Sequence, residues 1–291
     1  MADPAAVKAL LAKHDLQPRH TLGQNFIVRP EPIAAAVQAA SLAKSDTVLE
    51  IGAGLGTLTR ALAERAGRVC AVELDRAFRP VLAETVGACG NVELTFGDAR
   101  ALDLAALVAP AQGAMAKAVA NLPYYATSEL LEKLILAPAR FGRIVILVQA
   151  EAAARISAKP GLAGYGPLSL LAECFYETEL VMRVARDCFW PQPKVDSALL
   201  ALKRRPDAPT AEAVAPLHAL IRTAFAQRRK TIVAALAHNR GGVGGLSELP
   251  RDVVARALAE AGLPATARAE QLGLADFARL LTALGSQVRW R

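Results

Sequence analysis

The chain has 291 residues, 53% of them hydrophobic and 21% charged, a balance that supports a packed core and excludes a disordered or fibrous chain. Lys and Arg outnumber Asp and Glu by 34 to 27, leaving a net charge of +7 that favours a polyanionic partner such as nucleic acid. The longest aliphatic run, at 144–148, falls far short of the roughly 20 residues that cross a bilayer.

The N-terminal stretch MADPAAVKALLAKHD has neither the apolar core of a secretory signal nor the Arg/Ser bias of a transit peptide, so a cytoplasmic protein is expected. From about residue 46 to 150, short β-branched runs alternate with helical stretches. Strands are predicted at Thr47–Ile51, 69–73, 92–95, 117–120 and 143–148, with helices at 57–65, 75–86 and 128–136 between them. This alternation implies a mostly parallel sheet with helices on both faces, an α/β architecture of Rossmann-like kind.

Between the first strand and its helix lies Glu50-Ile51-Gly52-Ala53-Gly54-Leu55-Gly56-Thr57. Its glycines permit a tight turn and a close ligand approach, but Thr57 stands where a dinucleotide fingerprint needs its third glycine. The G-x-G-x-G pattern suits an adenosyl group without a pyrophosphate. Glu73 ends the second strand, where an acid can bond both hydroxyls of a ribose. Gly97-Asp98-Ala99 closes the third, where Asp98 can accept from an adenine amino group.

Asn121-Leu122-Pro123-Tyr124 follows the fourth strand on the same carboxyl edge. This tetrapeptide suits methylation of an exocyclic amine, a poor nucleophile because its lone pair is delocalised into the ring. An Asn oxygen and a backbone carbonyl accepting the two N–H bonds would aim that lone pair, and Pro123 would fix the carbonyl. Tyr124 would stack on a flipped-out base.

Strand-like stretches at 174–184 and 197–203 predict an antiparallel hairpin at one sheet edge. The Phe189-Trp190-Pro191-Gln192-Pro193 loop between them is kept out of a central strand by its prolines. After Lys203-Arg204-Arg205-Pro206 the pattern turns helical to the end, broken at 241–245, Pro250 and Pro264. A first domain, 1–206, and a small all-helical domain, 207–291, are therefore expected. Arg222, Arg228, Arg229, Lys230 and Arg240 form an acid-free basic stretch fit to bind phosphates, and Lys194 could anchor another. The bland alternative for such runs is a solvated face. Cys70, Cys89, Cys174 and Cys188 form no CxxC pair, and no His stands at zinc-ligand spacing, so reduced thiols and no metal are expected.

These motifs resemble the ribosomal RNA adenine N6-dimethyltransferase family, whose members use S-adenosylmethionine. The likeness runs from about residue 19 to 284. Leu22-Gly23-Gln24-Asn25-Phe26 is similar to the family's segment that folds over the cofactor. EIGAGLGTLT from Glu50 resembles its cofactor loop, with Ala53 where Pro is more usual. Asn121–Tyr124 is similar to its catalytic N-L-P-Y, and FWPQPKVDS from Phe189 to its F-x-P-x-P-K-V-D-S segment. AFAQRRK from Ala224 and RAEQLGLADFARL from Arg268 look like its C-terminal helices. The resemblance implies catalytic roles for Asn121, Leu122, Pro123, Tyr124 and Phe189, the last facing the target base opposite Tyr124. It implies cofactor contacts at Asn25, Ile27, Gly52, Glu73, Asp98 and Asn121, and Gln24, Glu50, Gly54, Leu74 and Ala99 beside them are expected contacts as well. RNA contacts fall to Lys194, Arg222, Arg228, Arg229 and Lys230.

The implied activity is methylation of two adjacent adenosines in the 3′-terminal hairpin of 16S rRNA in the immature small subunit, by a monomer that needs no metal. Three alternatives stand beside it. One is a large-subunit rRNA methyltransferase conferring antibiotic resistance, another an assembly-gating ribosome-binding factor with methylation secondary, and the third a DNA adenine methyltransferase, disfavoured because no separate base-reading domain is evident.

Overall fold

A computed structural model of the chain describes residues 2–108, 114–137, 141–239 and 246–285; Arg240 and the break at 241–245 lie outside these. The chain divides into two compact units, one formed by Met1–Ala153 with Glu177–Arg204, the other by Ala154–Tyr176 with Arg205–Arg291.

The first unit is built on a seven-stranded sheet. Its strands are β2 (Thr47–Ile51), β3 (Arg68–Glu73), β4 (Val92–Phe96), β5 (Ala116–Asn121), β6 (Phe141–Gln149), β7 (Tyr176–Val184) and β9 (Ser197–Arg204), in the order β4-β3-β2-β5-β6-β9-β7. The first five named run parallel; β9 runs antiparallel to β6. The central strands read as unbroken apolar runs because helices cover both faces, and Val48, Leu49, Val69, Ile144 and Val145 are sealed from solvent. The edge strand β4 is only partly buried and correspondingly less apolar.

The strand order places the functional edge. The chain leaves β2 outward to β3 and β4, then crosses back to β5 on the other side of β2, so the order reverses between β2 and β5. At such a reversal the loops leaving the two strands part and open a crevice at their carboxyl ends. Ile51 lies opposite Ala120, which brings the glycine turn and Asn121 to the same end of neighbouring strands. Helix α3 (Thr57–Ala63) starts directly after Gly56, whose φ is +80°. A Cβ there would meet the Thr85 hydroxyl at 2.6 Å and a Val86 methyl at 2.9 Å, so the turn requires glycine for both torsion and space.

Helices α1 (Pro4–Lys13), α2 (Pro30–Ala40), α4 (Arg79–Val86), α5 (Leu104–Val108) and α6 (Thr127–Leu136) complete this unit, along with a two-residue strand, β1 (Phe26–Ile27). The 189–193 loop stays out of the main sheet, as its prolines demand. Its first two residues form β8 (Phe189–Trp190), which pairs antiparallel with β1.

Helix α7 (Ala150–Ile156) carries the chain from the first unit into the second, which packs α8 (Pro167–Phe175), α9 (Ala211–Phe225), α10 (Ile232–Ala237), α11 (Arg251–Glu260) and α12 (Leu274–Leu284) around Tyr165, Leu220, Phe225, Leu236, Leu258 and Phe277. One boundary at 206 is therefore not the whole division. The chain changes unit at Arg204/Arg205, but Ala154–Tyr176, expected in the first domain, belongs to the second. Tyr165 and Leu170 on that segment are fully buried in the helical core, and the Tyr165 hydroxyl donates to the Leu272 carbonyl at 2.9 Å. Cys174 and Phe175, expected to open a strand, end α8 instead.

Candidate active site

A cleft of about 720 Å³, open to solvent, lies along the carboxyl ends of β2, β3, β4 and β5. Of the residues expected to bind a cofactor, Gln24, Asn25, Gly52, Gly54, Glu73, Leu74, Asp98, Ala99 and Asn121 line it. Two expected contacts do not. Ile27 is 8% exposed in the core, where β1 pairs with β8, and Glu50 is sealed beneath the turn within the central strand.

Glu73 is fixed from two sides. The Gly54 N–H donates to one carboxylate oxygen at 2.7 Å and the Asp75 N–H to the other at 2.8 Å. Burial raises its pKa, and these backbone bonds oppose the rise. Each oxygen keeps a lone pair for an outside donor, so the pair suits two vicinal hydroxyls. Leu74, unusually exposed for leucine at 38%, offers an apolar face beside it.

Asp98 is gripped by Arg100. The Arg100 Nε and Nη2 donate to its oxygens at 3.0 and 2.7 Å, and the Arg100 backbone N–H adds a bond at 2.9 Å. This guanidinium holds the carboxyl below its usual pKa, leaving an acceptor-only group. Arg100 also lies over the ring of Tyr125, at 5.7 Å from its centre. The Lys133 ammonium pins the turn from below through the Ala99 and Arg100 carbonyls, at 3.1 and 2.7 Å. Arg100 and Tyr125 both line the cleft and escaped the sequence reading. The Asp-x-Arg spacing of residues 98 and 100 was the signal for the first; nothing local marked the second.

At the end of β5 the Asn121 amide nitrogen donates to the Asn25 carbonyl at 3.1 Å, while the Leu122 N–H is tied to the Leu147 carbonyl on β6 at 3.1 Å. Pro123 follows at φ −63° and starts the turn into α6, and it too lines the cleft. Tyr124 and Phe189 do not. The Tyr124 ring is half-buried, with its hydroxyl 2.8 Å from the Ser197 hydroxyl. Phe189 is 3% exposed, so the expectation of an open ring facing Tyr124 is not met in this conformation: pairing with Ile27 draws it into the core. Leu122 is likewise buried, its side chain serving the core.

The donor set fits an adenosyl group: an oriented carboxylate for a ribose diol, an acceptor-only Asp98 for an amino group, and Ile51, Val72, Leu74 and Leu130 as apolar walls. No group of three or more metal-ligating side chains occurs among the described residues. Of the expected RNA contacts, Lys194 is exposed on the first unit and Arg222, Arg228, Arg229 and Lys230 are exposed on the second. The Arg228 guanidinium donates to the Tyr165 carbonyl at 3.4 Å.

The sequence model of the ribosomal RNA adenine dimethylase family matches residues 16–249. The chain is 40% identical to ribosomal RNA small subunit methyltransferase A of Pelotomaculum thermopropionicum, over 96% of each chain. It is 37% identical to the protein of that name from Streptococcus pneumoniae, over 99% of each. Among solved structures it resembles a dimethyladenosine transferase from Plasmodium falciparum, with a TM-score of 0.70 and 27% identity over 87% of this chain and 95% of that one. A 23S rRNA methyltransferase gives a TM-score of 0.65 and 27% identity over 89% and 99%. The glycine turn, the three acid-tipped strands and the Asn-Leu-Pro-Tyr corner thus stand in a chain that belongs to the ribosomal RNA adenine dimethylase family.

Proposed function

We propose that the protein transfers methyl groups from S-adenosylmethionine to N6 of two adjacent adenosines in the 3′-terminal hairpin of 16S rRNA, acting in the cytoplasm on the immature small subunit. The observation that carries this reading is the placement of Asn121, whose amide oxygen has no protein partner among the described residues, beside a cleft furnished for an adenosyl group. Near-complete coverage by relatives named for the small subunit favours that target over the large subunit.

The donor supplies an electrophilic methyl on a positively charged sulfur. Glu73 would hold the ribose, Leu74 would offer its apolar face to the purine and Asp98 would accept from its amino group. Asn121 Oδ1 and the Leu122 carbonyl accept the two N–H bonds of the target amine, which turns its lone pair outward and stabilises the charge that develops on nitrogen. Tyr124 presents its half-buried ring to the base. The nitrogen–methyl bond forms as the sulfur–methyl bond breaks, S-adenosylhomocysteine leaves, and the amine proton passes to water, so no covalent enzyme intermediate is needed. Labelled methyl transfer to small subunits from a strain lacking such an enzyme tests the reading. Dimethyladenosine at two adjacent small-subunit positions is expected. Label in the large subunit would move the assignment to the other branch, and absence of label would end it.

The exposed basic cluster should carry phosphate binding. Replacing Arg228, Arg229 and Lys230 together by Ala is expected to weaken RNA binding and to lower the slope of log affinity against log salt by up to about 2–3. Filter binding from 50 to 300 mM salt, roughly the range over which such contacts show, measures it. An unaltered slope would make the cluster a solvated face.

A further inference from the structure

We propose that Asp75 is a positioning residue: through Gln24 and Arg19 it latches the chain at 19–25 as one wall of the cleft, so that the Asn25 carbonyl holds the Asn121 amide nitrogen and leaves Oδ1 for the substrate amine. The inference rests on the reading above, in which that oxygen is the acceptor.

Asp75 is 7% exposed, and a carboxylate so buried must be fully partnered. It accepts from Arg19 Nη1 at 3.3 Å, Gln24 Nε2 at 3.0 Å and the Ala77 N–H at 3.1 Å. Its own N–H donates to Glu73, so the ribose acid and the latch share one residue. Gln24 is used at both ends: its amide nitrogen meets Asp75, and its oxygen accepts the Arg19 N–H at 2.7 Å. Although expected as a cofactor ligand, it works here as a strut.

The next residue, Asn25, supplies the one hydrogen bond to the Asn121 side chain among the described residues. A carbonyl accepts and cannot donate, so whichever end of the Asn121 amide meets the Asn25 oxygen must be its nitrogen. Without that bond the amide is free to turn and offer N–H groups to another N–H donor, the wrong polarity for the reaction. Ninety-six residues separate the two asparagines. Their contact therefore depends on whatever holds the N-terminal segment in place, and Asp75 is the buried group that does so from the cleft's own β3 end.

The simpler role for Asp75 is to cap the short turn Arg76–Phe78 through Ala77. Asp75→Asn separates the two, because an Asn oxygen still caps Ala77 while its amide nitrogen opposes the Gln24 donor. Gln24→Leu, which leaves the cap untouched, is the second variant. Single-turnover methyl transfer, binding of S-adenosylhomocysteine, and the side-chain amide signals of Asn121, identified by their loss in Asn121→Ala, are measured in each. At saturating S-adenosylmethionine the expectation is a transfer rate about 10–100-fold lower, with Asn121 amide protons that exchange faster. An unchanged rate, a loss found wholly in cofactor affinity, or unaltered Asn121 signals in Gln24→Leu would each overturn the latch. Should Asp75→Asn fail to fold, Gln24→Leu decides alone. If the unmutated protein transfers no methyl group, the functional reading fails, and the Asn121 signals still judge the latch.

Discussion

Asn121→Ala is expected to lower the rate of methyl transfer by at least about 10²–10³-fold, the usual cost of removing one preorganised polar group from a transition state. The amide oxygen is the part that matters. The nitrogen is already committed to the Asn25 carbonyl, so truncation removes the acceptor, while the turn stays anchored by Leu122 on Leu147 and by Pro123. Affinity for RNA should stay near that of the unmutated protein, since no phosphate contact is assigned to this residue. Asn121→Asp sharpens the test: it keeps an acceptor, but its carboxylate faces the Asn25 carbonyl with no hydrogen to give. It should be impaired as well, and recover partly at low pH where a carboxyl can donate. Single-turnover transfer with filter binding in parallel measures all of this. An Ala variant that methylates at a near-normal rate would remove Asn121 from the chemistry.

The second large effect is on stability. Glu50 sits in the middle of the sheet with 0% exposure, and among the described residues neither of its oxygens makes a hydrogen bond of good geometry. Burial chiefly, with repulsion from Glu73, raises its pKa to about 8, against a smaller downward pull from the Thr59 hydroxyl. Between its ordinary value of 4.5 and about 8 the folded protein keeps a proton that the unfolded chain has lost. The stabilisation is thus complete below about pH 4.5 and is lost as pH rises through about 8, up to roughly 5 kcal/mol in all. Glu50→Gln, neutral at every pH and nearly the same shape, should match the parent near pH 5 and exceed it increasingly toward pH 9. Denaturant unfolding of the two proteins across that range gives the difference directly. A flat difference would place the Glu50 ionisation in the ordinary carboxylate range.

The sheet was legible because its strands are buried on both faces, and runs such as Val69-Cys70-Ala71-Val72 allow little else. The segment around α8 was not. Pro160, Gly161, Gly164 and Gly166-Pro167 punctuate it as a loop, and the apolar Leu170, Leu171 and Phe175 that follow carry no period that distinguishes strand from helix. In the site, Glu73, Asp98 and Asn121 stand at strand ends, where a short motif reveals them. Asp75 and Arg19, 56 residues apart, do not, because their role exists only once the chain has brought them together. Phe189 shows the converse: its motif is visible, but the strand it pairs with, at Ile27, is remote in sequence, so its buried setting is not legible.

The return of Ala154–Tyr176 to the helical unit also limits how the molecule can be cut. A fragment ending at Arg204 would retain Tyr165 and Leu170 without the α9, α10 and α12 side chains that enclose them, baring an apolar surface that invites self-association. A clean excision of the sheet-bearing half must splice out both stretches, 154–176 as well as the chain after Arg204.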